Sequence, residues 1–131
     1  MSEGNAQPGE FCWHRLVTPD IEDAKKFYTE LFGWNSEDIT VNGAKATVFS
    51  NGNKKIAHIS KMPDQSANSL SQWISFITVE NIHIIVHRAK KLGCKIELPV
   101  TAFTSFGGLV AILLDPQGAR VGVWQASDDE F

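Results

Sequence analysis

The sequence is poor in features that several protein classes require. Its 131 residues include two cysteines, Cys12 and Cys94, too few for a disulfide framework, which favours free thiols in a reducing compartment. No apolar run approaches the roughly 20 residues of a membrane helix. The opening stretch, MSEGNAQPGE, is too polar for a secretory leader. We therefore expect a cytoplasmic protein that does not span a membrane.

Concentrated positive charge and the short motifs of common catalysts are also missing. The net charge is −3 and the basic residues form no cluster, so no nucleic-acid partner is predicted. The chain contains no Gly-rich phosphate loop, no GxSxG and no CxxC. A hydrophobic fraction of 43% and a charged fraction of 21% are ordinary for a globular protein. Function must therefore be sought in the arrangement of individual side chains.

The clearest local pattern is a β-hairpin, with strands predicted at 110–114 and 120–125. Pro116 presets the first corner of the turn between them, and Gly118 supplies a positive φ. A helix is predicted earlier, after the capping residues Thr18 or Asp20 and up to Gly33. Its apolar residues recur at helical spacing and form one stripe: Ile21, Ala24, Phe27, Tyr28, Leu31 and Phe32.

The pattern then restarts, because equivalent residues recur at a spacing of 60: Trp13 and Trp73, Thr18 and Thr78, Gly33 and Gly93. In the second half Asn81 caps a predicted helix that runs to Leu92, and a strand at 94–98 precedes a loop at 99–104. Each half reads as one strand, one helix and three strands. We predict two βαβββ modules, at 10–61 and 72–126, joined by a linker at 62–71. A disordered N-terminus at 1–9 precedes them and an acidic tail at 127–131 follows them. The predicted class is α+β, with the modules side by side and eight strands forming an incomplete curved barrel that has a concave cleft, with the helices outside.

Three stretches together resemble the vicinal oxygen chelate superfamily, also called the glyoxalase/bleomycin-resistance/extradiol dioxygenase fold. They read TPDIEDAKKFYTELFGW at 18–34, WISFITVE at 73–80 and FGGLVAILLDPQGARVGVWQ at 106–125. The resemblance covers about 11–125 and implies the fold described above. It also implies that some relatives form dimers and that some are metal enzymes, so a homodimer is expected.

The resemblance places the metal ligands of those enzymes at four inward-facing positions, which here are Trp13, His58, Trp73 and Gly122. Only a histidine or a carboxylate offers a suitable lone pair, and His58 is the one such residue among the four. We therefore predict no metal and no other cofactor. His58 remains a candidate general base, or a histidine satisfied in the core.

Strand alternation extends this to a set of residues that face the cleft. If Leu16 faces the helix, then Trp13 and Arg15 face the cleft, and His14 does not. Phe76 is taken to match Leu16, which turns Trp73 and Ser75 inward. Indoles provide flat apolar walls, and arginines can bind a carboxylate or phosphate. The predicted ligand is thus a small aromatic or anionic molecule, and the binding residues are Trp13, Arg15, Ser60, Trp73, Ser75, Arg120 and Trp124.

Three alternatives remain open. The tryptophans can simply fill the core, with the arginines paired at its rim to acidic residues. The protein can be a metal-dependent glyoxalase, lyase or dioxygenase-type enzyme with displaced ligands, such as His14 and His58 with Glu10 or Glu97. It can also be a drug-sequestering protein of the resistance type, which needs no catalytic group. His83 and His87 have a metal-ligand spacing, but they share a helix face with lysines, which favours a solvated surface.

Overall fold

The computed structural model describes residues 6–61 and 71–127. Within these ranges eight strands and two α-helices repeat the order strand, helix and three strands, which confirms the α+β class. The chain divides into two compact units, His14–Ile74 and the residues on either side of it. The elements are β1 (Phe11–Thr18), α1 (Ile21–Phe32), β2 (Asn35–Val41), β3 (Ala44–Asn51), β4 (Lys54–Lys61), β5 (Gln72–Thr78), α2 (Ile82–Lys91), β6 (Lys95–Phe103), β7 (Gly108–Leu114) and β8 (Arg120–Ala126).

Local signals set the limits of α1 as predicted. The Asp20 side chain accepts a hydrogen bond from the Asp23 backbone N–H (3.0 Å), which satisfies one of the free amides of the first turn. Gly33 adopts a left-handed conformation (φ 72°) after the last turn. Because this conformation is strained for residues with a Cβ, glycine ends the helix at little energetic cost.

The first module joins its strands in the order β2-β3-β4-β1, and its sheet has two distinct faces. Leu16, Phe49 and Ile59 pack with Ile21 of α1, so these side chains define the helix face. Successive residues of a strand point to opposite faces. Arg15 and His58, which are paired in register between β1 and β4, therefore lie on the face turned away from α1.

The second module joins its strands in the order β5-β8-β7-β6. The side chain of Asn81 accepts hydrogen bonds from two backbone amides at the start of α2, as the predicted cap requires. Ala111, Leu113 and Val123 pack against α2 and define the helix face of this module. Gly122 and Trp124 of β8 consequently belong to the opposite face.

The loop predicted at 99–104 is wrong, because β6 continues through Pro99 to Phe103. The pairing of β6 with β7 shifts register between Ile96 and Leu98 and again between Leu98 and Thr101. Proline lacks a backbone N–H, and strands accept it at edges and bulges, where no ladder bond is lost. β6 is the last strand in the order of its module, so Pro99 is tolerated there.

Residues next to the predicted loose ends are hydrogen bonded where the structure describes them. The Gly9 N–H donates to the Thr78 carbonyl (2.9 Å), and the Ser127 N–H donates to the Gly107 carbonyl (2.7 Å). The rest of the predicted N-terminus and tail, 1–5 and 128–131, and linker residues 62–70 lie outside the described residues. In the part of the chain that is described, neither helix is long and apolar enough to cross a membrane.

The predicted stripe on α1 has the right spacing but is only partly covered by the sheet. Ile21 is buried and Tyr28 packs on the core of the first module. Phe27, Leu31 and Phe32 remain more than half exposed. Helical periodicity therefore located one apolar side, and that side is wider than the contact of the helix with its own sheet.

Candidate functional site

Three polar side chains of the first module form the best-defined polar group on the face turned away from α1. Arg15 is paired in register with His58, and Val17 with Ser60, so β1 and β4 bring these residues together. Arg15 Nε donates a hydrogen bond to Ser60 Oγ at 2.7 Å. Arg15 and Ser60 are half-buried, whereas His58 is completely buried. The sequence predicted this grouping through alternation.

The electrostatics of this group are those of one cation beside one neutral ring. Burial, with a smaller contribution from the Arg15 cation, lowers the pKa of His58 from 6.5 to about 3. His58 is therefore uncharged at neutral pH, and a base with such a pKa accepts protons poorly there. Arg15 therefore places a permanent positive charge beside a neutral ring, and a general-base role for His58 is disfavoured.

Trp13 and Trp124 are core residues of the compact unit formed by the residues on either side of His14–Ile74, which we call the second unit. Both are 1% exposed, and the Trp13 ring centroid lies 6.0 Å from that of Phe106. Trp124 Nε1 is buried and has no hydrogen-bond partner within the described ranges. A buried N–H without an acceptor is unfavourable, so this indole is the strongest candidate in its unit for a donor to a bound molecule.

Gly122 lies where the resemblance places a metal ligand, and its neighbourhood is filled. Phe76 of β5 is paired in register with Gly122 of β8. A Cβ built on Gly122 would collide with the Phe76 ring, and one built on Gly108 would collide with Trp124. The space that a ligating side chain at 122 would occupy therefore holds the phenyl ring.

The predicted inward orientation of Trp73 and Ser75 is corrected by this pairing. Because Phe76 shares a face with Gly122, the residues on either side of it, Ser75 and Ile77, lie on the helix face. Trp73 also lies on the helix side of β5, since its Nε1 donates a hydrogen bond to the Tyr28 hydroxyl of α1 at 3.1 Å. Buried Ile74 takes the inward position of β5 instead. The error arose because Phe76 was matched to Leu16, although the two aromatic-rich strands differ in phase by one residue.

Arg120 is committed to an ion pair within its own module. Its Nε lies 2.6 and 2.8 Å from the two carboxylate oxygens of Glu97. A cation neutralised in this way attracts an external anion much less. The charge of Arg120 is therefore already balanced by an acidic residue of its own module.

The residues at the four family positions do not fit a metal centre. Trp13, Trp73 and Gly122 offer no lone pair for a divalent ion, and His58 is a single donor. Ile74, which takes the inward position of β5, offers none either. No group of three or more His, Cys, Asp or Glu side chains suited to a metal occurs within 6–61 and 71–127. Of the alternative ligands, His14 is exposed and Glu10 accepts a hydrogen bond from the Gln7 backbone (2.8 Å).

Two concave surfaces involve residues outside this polar group. A cavity of about 470 Å³ is lined by His83, His87 and Lys90 of α2 together with Pro99 and Val100 of β6. A second cavity of about 560 Å³ lies beside α1, and its lining includes Thr18, Asp20, Phe27, Tyr28 and Ser71. Sequence reasoning missed the second one, although the closely spaced aromatics of FYTELFGW, set against polar Thr18 and Asp20, signal a surface of mixed character.

A family model identifies the superfamily to which this fold belongs. The model described as Glyoxalase/Bleomycin resistance protein/Dioxygenase superfamily matches residues 11–123. This match spans most of the chain, so the protein belongs to that superfamily. The resemblance drawn from the sequence is confirmed.

Individual relatives and structures agree with this assignment. The chain is 34% identical over 121 residues to "Putative glyoxylase CFP32" of Mycobacterium bovis, covering 88% of this chain and 45% of the relative. It is 26% identical over 132 residues to "Anthracycline biosynthesis protein DnrV" of Streptomyces peucetius, covering 90% and 47%. The chain spans about half the length of these curated relatives. Methylmalonyl-CoA epimerase from Mycobacterium tuberculosis superposes with a TM-score of 0.66 at 11% identity, covering 98% and 95% of the two chains, and so shares the fold.

Proposed function

We propose that this protein binds a small organic molecule with an anionic group, and that Arg15 holds that group. The observation that carries the proposal is a half-buried guanidinium, fixed 2.7 Å from Ser60 and next to a neutral, buried His58. An arginine is a permanent cation whose planar fork matches a carboxylate or a phosphate. Partial burial strengthens its attraction for an anion relative to a fully solvated site.

An aromatic body on the ligand is the second part of the proposal. Trp13 precedes Arg15 by two residues on the same strand and therefore shares its face. One relative is named for anthracycline biosynthesis, and anthracyclines are planar aromatic compounds. These points support an aromatic acid over an aliphatic one.

The proposal includes no metal, because the four family positions provide one donor. The competing candidate is a metal-dependent glyoxalase, lyase or dioxygenase-type enzyme with displaced ligands, and the name of the glyoxylase relative favours it. Elemental analysis of the purified protein separates the two. Stoichiometric nickel, zinc or iron would support the enzyme, whereas binding of an aromatic acid by metal-free protein supports our proposal.

A sequestering role and a catalytic role differ in turnover. A resistance-type binding protein returns its ligand unchanged, because it holds no group that reacts with it. Incubating the protein with any acid it binds, followed by chromatography of the released small molecule, distinguishes the two. We expect the ligand to be recovered unchanged, since the pKa of His58 makes it a weak base.

The binding test uses calorimetry with naphthoate and the neutral analogue naphthamide. We expect naphthoate to bind more tightly than naphthamide, and Arg15→Ala to weaken naphthoate binding by about tenfold to a hundredfold, the range for hydrogen bonds to charged groups. Arg88→Ala, which removes an exposed arginine from α2, is the matched control and should leave the affinity unchanged. Equal affinities in wild type and Arg15→Ala would exclude Arg15 as the anion site.

A second copy of this chain is the partner that we propose. This proposal follows the resemblance to the superfamily, some members of which form dimers. A cytoplasmic location and the absence of a nucleic-acid partner remain predictions from the composition.

A further inference from the structure

Two histidines of α2 share a cavity in the second unit. His83 and His87 are both exposed, and both line the cavity of about 470 Å³ that α2 forms with β6. Side chains four residues apart on a helix are neighbours, with Cβ atoms about 5–6 Å apart. The two imidazoles therefore border the same concave space on one side of the helix.

The other side of this cavity is an irregular part of β6. The pairing of β6 with β7 shifts register between Leu98 and Thr101. Within this shift Pro99 and Val100 together oppose Ala111, which packs against α2. In a regular strand two successive side chains point to opposite faces, whereas here both residues line the cavity. Bulges of this kind re-aim side chains and are over-represented at functional sites.

The chemistry of the lining residues favours the imidazoles as donors to a metal. Val86, Ile96 and Val100 supply apolar surface, and Val86 is 8% exposed. Lys90 also lines the cavity, but its ammonium group has no lone pair at neutral pH. Because Lys90 is exposed, solvent and salt screen its charge, and it opposes a second cation only weakly.

We infer that His83 and His87 form a binding site for a divalent transition metal that prefers nitrogen ligands, such as nickel, copper or zinc. Imidazole suits these ions, and a metal–nitrogen bond of about 2.0–2.1 Å is typical of histidine ligands. One ion can therefore join two rings carried four residues apart on a helix. Two protein donors leave further coordination positions open to water or to a small ligand in the adjoining cavity.

This site is separate from the metal centre of the competing enzyme candidate. The family positions lie on strands, with His58 on β4 as the donor, whereas His83 and His87 belong to α2. Replacing a histidine of α2 leaves the family positions unchanged, so the two sites can be tested one at a time. The inference is independent of the proposed ligand and of the proposed self-association.

Calorimetric titration of metal-free protein with nickel(II) chloride tests the inference. Nickel binds nitrogen donors more tightly than most divalent ions and, unlike copper, does not oxidise thiols. We expect one ion per chain in wild type and about hundredfold weaker binding in His83→Gln and in His87→Gln, because each leaves a single donor in place of a chelating pair. His14→Gln is the matched control, since it removes an exposed histidine that has no other histidine within four residues. The metal-free variants should melt as wild type does, because these side chains are exposed.

Two further variants test the spacing and the sign of the charge. His87→Gln combined with Arg88→His keeps two histidines on α2 but places them about 140° apart around the helix axis, so nickel binding should stay as weak as in His87→Gln. The loss of the Arg88 charge favours a cation and cannot account for weaker binding. Lys90→Gln removes a like charge from the cavity and should strengthen nickel binding by about twofold to fivefold.

The outcomes that contradict the inference are distinct. A wild type that binds no nickel, or equal affinities in wild type and both single variants, overturns the site. Weaker binding in only one of the single variants reveals a lone imidazole and overturns the chelating pair. Wild-type affinity in the combined His87→Gln and Arg88→His variant overturns the spacing requirement, and weaker binding in Lys90→Gln overturns a cation site in this cavity.

Discussion

Lowering the pH should destabilise the protein through His58 in a way that can be measured separately. The pKa of this histidine is about 3 in the folded chain, against 6.5 for an ordinary histidine. Between these values the unfolded chain binds a proton that the folded chain does not, so the stability falls as the pH falls. The effect is absent above pH of about 6.5 and is complete only below pH of about 3.

The size of the effect follows from the pKa difference. Each pH unit below the unfolded pKa weakens the fold by about 1.4 kcal/mol, so about 3 kcal/mol is lost between neutrality and a pH of about 4.5. For a domain whose total stability is about 5–15 kcal/mol, this is a large fraction. Arg15 contributes to the low pKa, so replacing it with a neutral residue should raise the pKa of His58 in the folded chain and reduce the stability lost on acidification.

The assay is urea unfolding at neutral pH and at pH of about 4.5, performed on wild type and His58→Gln. Carboxylates with lowered pKa, such as those of Asp38 and Glu22, also destabilise the acid form, but they are present in both proteins and cancel in the comparison. Wild type should lose about 3 kcal/mol more than His58→Gln. His83→Gln removes an exposed histidine and should behave as wild type does. If His58→Gln lost as much stability as wild type between the two pH values, the buried neutral histidine would be refuted.

Two further predictions concern packing and capping. Gly122→Ala should lower the free energy of unfolding by about 1–3 kcal/mol, because the new methyl group collides with Phe76. In a Phe76→Leu background the same change should be milder, and strictly additive losses would show that the two residues do not compete for space. Asn81→Ala should cost about 1 kcal/mol through loss of the α2 cap, whereas Asn81→Asp retains the acceptor and should stay near wild type. Equal losses in both Asn81 variants in urea unfolding would contradict the capping role.

Most of the candidate site on the first module could be predicted from sequence. Successive side chains of β1 point to opposite faces of the sheet, so one apolar anchor, Leu16, fixes which face each neighbour takes. That is sufficient to place Arg15 and His14 on opposite faces. The ion-pair partner of Arg120 could not be predicted, because Glu97 lies 23 residues away and no local pattern connects the two.

In the second module the sequence could not predict which side chains face inward, and β5 shows why. Its residues Trp73 to Ile77 are nearly all large and apolar, so alternation alone leaves two equivalent phases. The register of Phe76 with Gly122 selects one of them, and that register depends on a strand more than 40 residues away. A shift of one residue exchanges the two faces, which moves Trp73 from the predicted cleft to α1.

The sequence by itself determined what short-range interactions control: the α1 and α2 caps, the glycine after α1, the turn between β7 and β8, and the repeated order of elements. Those features depend on backbone conformation and on hydrogen bonds a few residues apart. Tertiary structure alone decided which face of β5 packs on a helix, that Arg120 is neutralised by Glu97, and that half of the apolar side of α1 stays in water. Each of these depends on which distant surface covers a side chain, and burial of that kind is a property of the assembled fold rather than of any local stretch.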